Sequence, residues 1–273
     1  MGESDYKLII VEGEKREIDI FERVESFFIQ KEKFRYINLP ANQNIYMLWQ
    51  LLKADDFQTD IVEIIRETVD GADKVLEGVS RDNIAEVFLF FDLDAHQNNI
   101  SSTHNQTYSQ VVEEMLEVFD NETELGKLYI SYPMIEALRD LSAKGCSTYT
   151  SSCQIDNAKL NDYKMLSGNG NILGNMGKYG VEEWRLVIKS FAMRLSCLLS
   201  LDEVISYDDY KKRVSPATIF YNQQQWFEKG KTFILSAIPE FLLDYFGLSF
   251  WKRYIRVKKI NKKFCKGQIK KGR

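Results

Sequence analysis

Two apolar runs restrict the fold of this chain more than any other feature. Residues 8–11 read Leu-Ile-Ile-Val, and residues 87–91 read Val-Phe-Leu-Phe-Phe. Neither alternates with polar residues, so each predicts a strand buried on both faces, as in a parallel sheet covered by helices. Both runs end on acids. Glu12-Gly13 follows the first, and Asp92 and Asp94 close the second. In parallel sheets ligands gather beyond the carboxyl ends of the strands, so both endings send negative charge to one edge.

The neighbouring segments fit the same α/β class. A helix is predicted over 16–30, with Ile18, Phe21, Val24 and Phe28 at three- and four-residue spacings. A strand follows over 34–39, then helices over 44–55 and 60–71, and the strand 85–94 with its acids. Residues 103–120 predict a helix with Tyr108, Val111, Met115 and Val118 turned inward, and 127–133 a strand. Beyond Ala143 the texture changes. Residues 145–180 are rich in Gly, Ser, Asn and Tyr and read as a long loop or lid. Helical patterns return over 181–200, 206–214 and 215–247, the last interrupted at Pro216 and Pro239. The expected division is a catalytic domain over 1–145, a lid and α-helical region over 146–251, and a basic tail over 252–273.

The formal net charge of −4 conceals a polarity. From Lys252 onward there are 11 Lys or Arg and no acid, whereas residues 1–251 hold 25 basic and 40 acidic residues. An acidic body repels nucleic acid, and a basic tail attracts it or an acidic partner. The four cysteines (Cys146, Cys153, Cys197, Cys265) show no CxxC spacing, and only two histidines are present. That pattern argues against a structural zinc site or a disulfide scaffold and fits a reducing cytoplasm. No apolar run approaches the length of a membrane helix, so no membrane partner is expected.

Asp92 and Asp94, two apart at a strand end, put their carboxylates on one face. Such a pair repels itself unless a cation lies between, and Mg2+ prefers oxygen ligands of this kind. Gly13 lets the chain turn sharply or lets a phosphate approach the backbone. A metal held by acids, beside another acid able to move a proton, suits phosphodiester chemistry. His96, directly after the pair, is a candidate to stand beside the metal, while His104 reads as an exposed loop residue.

With "IIVEG" at 9–13 and "FFDLD" at 90–94, the chain resembles the Toprim domain of topoisomerases, bacterial primases, OLD-family nucleases and RloB-like proteins. Glu17, five positions after Glu12, matches the EGxxxE form of the OLD and RloB branch. "SYPMIEAL" at 131–138 resembles that branch's strand-end motif and brings in Glu136. The resemblance covers roughly residues 5–145. It implies Glu12 as general acid/base or metal ligand, Asp92 and Asp94 as catalytic Mg2+ (or Mn2+) ligands, and Glu17 and Glu136 as supporting ligands. Neither the tyrosine domain of a topoisomerase nor the zinc domain of a primase accompanies it, so hydrolysis by a nuclease is the implied reaction. The helical second half, with "LSAIPEFLLDYFG" at 235–247, is similar to the AriB-type effector family of PARIS phage-defence systems. That likeness implies a toxic endonuclease that cleaves tRNA, an ABC-type ATPase as partner, RNA rather than DNA as substrate, and a homodimer as a further expectation.

Other readings compete. "FDLD" also resembles the nucleophile motif of haloacid-dehalogenase phosphohydrolases, but Ala95 and His96 replace its Gly and Thr. The glycine-rich stretch 167–179 lacks P-loop spacing, with Ile172 and Tyr179 at the positions that need Gly and Ser or Thr. A Toprim-like interaction protein without independent activity is a third reading, favoured by the acidic body. The aromatic residues of the last third, among them Trp226, Phe241 and Trp251, read as core or an oligomer interface.

Overall fold

A computed structural model describes residues 6–12, 15–29, 33–38, 45–93, 107–141, 153–168 and 175–255. The chain forms two compact units, Met1–Asp92 with His96–Tyr129, and Leu93–Ala95 with Ile130–Arg273.

The first unit is α/β. Strand β1 (Tyr6–Val11) lies between β2 (Lys33–Asn38) and β3 (Ile84–Asp92), and both neighbours run parallel to it. Every residue from Leu8 to Val11 is buried, as is every residue from Val87 to Phe91. Consecutive buried positions mean that both faces of the sheet are covered, as the two apolar runs predict. Val11 is in register with Asn38 on one side and Phe90 on the other, so the three strands end together. The next strand outward, β5 (Gly126–Ser131), starts beside Val87 and Leu89 at Gly126, and its Ser131 carbonyl accepts from the Leu93 N–H at 3.0 Å. It therefore runs in the same direction as β3. A short β4 (Asp120–Asn121), which no sequence pattern announced, pairs antiparallel with β5 and completes the order β2-β1-β3-β5-β4.

Helix α1 (Lys15–Phe28) buries Ile20, Phe21 and Val24, and Phe21 meets Phe90 edge-on with centroids 4.5 Å apart. Helix α2 (Ile45–Ala54) buries Ile45, Tyr46, Leu48, Trp49 and Leu52. Helix α3 (Ile61–Thr68) is capped by Asp60, whose side chain accepts from the Val62 N–H at 2.8 Å and pairs with Arg81 at 2.6 Å. The single turn α4 (Ala72–Val75) follows Gly71, which takes a φ of 82°. Helix α5 (Tyr108–Val118) buries Val111, Val112, Met115 and Leu116, with Phe119 just beyond. Its inward face is turned from the expected one: Tyr108 and Val118 are only half-buried, because the pair Val112 and Leu116 offers more apolar surface on one stripe.

The second unit is helical with a small sheet. Strand β6 (Gln154–Asp156), a 3-10 segment (Asn157–Asp162) and α6 (Tyr163–Gly168) fall where a long loop was expected, so part of 145–180 is regular structure. Helices α7 (Val181–Leu198), α8 (Tyr207–Arg213) and α9 (Pro216–Phe227) follow, α9 with Ser215 as N-cap and Pro216 at its first position. The expected helix over 215–247 is not continuous. Gly230, at φ 69°, turns the chain into strand β7 (Lys231–Phe233), which pairs antiparallel with β6. Buried Gln223 of α9 fixes that strand, accepting from the Phe233 N–H at 3.0 Å and donating to its carbonyl at 2.9 Å. Helix α10 (Ala237–Tyr254) tolerates Pro239 in its first turn, where no intrahelical N–H is needed, and breaks instead at Gly247 (φ 63°). Phe241, Phe250 and Trp251 are core, and Trp226 is half-buried. The glycine-rich 169–174 and the tail from 256 lie outside the described residues.

Candidate active site

Glu12 follows β1 directly, and its carboxylate joins two other elements. Oε1 accepts the Ile45 N–H at 2.8 Å, at the start of α2, and Oε2 accepts the Asp92 N–H at 3.3 Å, at the end of β3. The bond to α2 uses one of the N–H groups that a helix start leaves without an intrahelical partner, and the helix dipole favours an anion there. The parallel register brings the second bond about, since Val11 lies opposite Phe90 and the next residues carry the acids. Glu12 and Asp92 are both half-buried. The strand endings thus bring these two residues together at the carboxyl edge of the sheet.

Glu17 lies in the first turn of α1 and is half-buried. Asp94, Gly13, His96 and His104 fall outside the described residues. Glu136 belongs to the second unit, where it is 3 % exposed and its Oε1 lies 3.7 Å from the Lys164 ammonium. Close by in the chain, Tyr163 donates to Asp140 Oδ2 at 2.6 Å, and both are buried. Arg194, fully buried on α7, donates to the Ile234 carbonyl at 3.2 Å and to the Asp140 carbonyl at 3.4 Å.

The donor chemistry of Glu12 and Asp92 fits a hard divalent cation, because both offer carboxylate oxygens and a bond to one N–H leaves each Glu12 oxygen a lone pair. Among the described residues no group of three or more His, Cys, Asp or Glu could hold a metal ion. Sequence reasoning missed the Ile45 N–H as a partner of Glu12, and also Lys164 beside Glu136. The first had no signal, since any residue at that helix start supplies an N–H. The second was obscured by a segment whose helical period is only one turn long.

No protein-family model matches the chain, and neither does any curated protein or solved structure. Among the described residues no helix is long and apolar enough to cross a membrane.

Proposed function

We propose that this chain is a Toprim-type, Mg2+-dependent endonuclease of the OLD and RloB branch. The observation that supports this reading is the bond between Glu12 and the backbone of Asp92, which sets the Glu-Gly strand end beside the Asp-x-Asp strand end. In this reading Asp92 and Asp94 hold Mg2+ or Mn2+, with Glu17 and Glu136 as supporting carboxylates. The metal supplies an activated water and neutralises charge on the phosphate. Glu12, held by two backbone N–H groups, stays ionised and oriented, so it accepts a proton from the attacking water or returns one to the leaving oxygen.

Within that reading the chain acts as a toxic effector of phage defence on RNA such as tRNA, restrained by an ABC-type ATPase. The basic tail offers a grip on an anionic substrate that the acidic body would otherwise repel.

The experiment is cleavage of tRNA and of plasmid DNA with Mg2+, with EDTA, and by Glu12→Ala. Cutting only with the metal and only by the wild type supports the proposal, and cutting in EDTA or by Glu12→Ala overturns it. Hydrolysis of p-nitrophenyl phosphate alone would favour a phosphohydrolase. Copurification with an ATPase, together with toxicity of the wild type alone, tests the effector assignment.

A further inference from the structure

The pair formed by Glu136 and Lys164 is asymmetric. The carboxylate side is 3 % exposed and the lysine side chain 67 % exposed, with 3.7 Å between Oε1 and Nζ. A carboxylate removed from water that far needs a positive neighbour. Here the neighbour arrives from the solvent side. A small cation approaching Oε1 from solution would take the same path.

The backbone of Lys164 is anchored although its head is not. Tyr163, the preceding residue, is held by Asp140 at 2.6 Å, and the Arg139 guanidinium donates to the Lys164 carbonyl at 3.4 Å. Asp140 lies four residues after Glu136, so the two contacts run in step along the same pair of segments. The ammonium is thus tethered near Glu136 by a flexible stem. At 3.7 Å it makes an ion pair without a hydrogen bond, and it can swing away with no break in the anchoring bonds.

We propose that Lys164 is the resident counter-ion of Glu136 and is displaced when a divalent cation binds that carboxylate. This rests on the reading of Glu136 as a carboxylate that supports the nuclease metal. One oxygen cannot face both a tethered ammonium and a hard divalent ion with its ordered water shell. Lys164 therefore weakens the metal and delays loading until the free ion is abundant.

The test is Mn2+ binding to the full chain, followed by titration calorimetry and by the Mn2+ paramagnetic resonance signal. Lys164→Gln is expected to bind Mn2+ about two- to fivefold more tightly, the change that follows from losing a partly exposed ion pair. Lys164→Arg keeps the charge and should match the wild type, whereas Glu136→Gln should bind more weakly. Circular dichroism of each variant establishes that it is folded, and Lys164→Ala provides a second neutral replacement. Unchanged or weaker binding by both neutral variants would overturn the counter-ion role while leaving the metal nuclease standing. Absence of Mn2+ binding by the wild type would remove both.

Discussion

Glu12 and Asp92 meet through the main chain: the Asp92 N–H donates to Glu12 Oε2 at 3.3 Å, while Oε1 of the same carboxylate accepts from Ile45 at 2.8 Å. One side chain thus ties β1 to β3 and to the start of α2. A residue placed for chemistry also supports the fold at that point.

Glu12→Ala should therefore abolish cleavage and also lower stability. Two N–H donors lose their acceptor in a half-buried setting, which costs about 1–2 kcal/mol where water replaces the carboxylate only in part. Denaturant melts of the variant check this. Loss of activity with an unchanged midpoint would mean that the carboxylate contributes nothing to the fold.

Gly126→Ala should destabilise the first unit by at least about 2 kcal/mol. Gly126 has a φ of 117°, and an added Cβ would lie 2.5 Å from Leu89 Cδ1 and 3.2 Å from Val87 Cγ1. Strain and overlap act together, so thermal unfolding should shift clearly. A silent substitution would contradict the packing of β5 against β3.

The strand ends and the helix order were legible because continuous apolar runs and terminal acids leave a local trace. Leu8–Val11 and Val87–Phe91 are buried as their composition demands. Strand β7 left no such trace. Lys231-Thr232-Phe233 is three residues long, sits between two helical patterns, and depends on β6 and on Gln223 for its pairing. The bond from Ile45 to Glu12 was equally hidden, since a backbone N–H has no sequence signature. Glu136 was recognisable as an acid of interest, but its burial and its lysine partner depend on packing between segments distant in the chain.

Gln223→Ala should loosen β7. The substitution leaves the Phe233 N–H and carbonyl without their partners in a buried site, at about 2–4 kcal/mol. Hydrogen exchange at Phe233 should accelerate much more than at Leu195 of α7. Equal protection in variant and wild type would rule out the clamp.

Alkaline pH should weaken the second unit through Tyr210. Burial foremost, then the charges of Glu240 and Asp244, hold its phenol well above the ordinary value of 10.0. The neutral form is favoured in the folded state, so this contribution is fully present below pH 10.0 and is lost as pH rises towards the folded value. Tyr210→Phe should flatten the alkaline decline in thermal stability. A decline as steep as in the wild type would assign the effect to other groups.

The β6–β7 pairing also sets a timetable for synthesis. Asn157, next to β6, hydrogen-bonds Thr232 of β7 across 75 residues of chain. At bacterial and eukaryotic elongation speeds of about 5–20 residues per second, β6 leaves the ribosome roughly 4–15 s before its partner strand is made. During that interval its edge has no mate, and Ile234, which completes the cluster with Ala137 and Tyr163, has not yet been added. A nascent chain stalled before Lys231 would thus carry a complete β1–β5 sheet beside an unfinished second unit, a state suited to capture by chaperones.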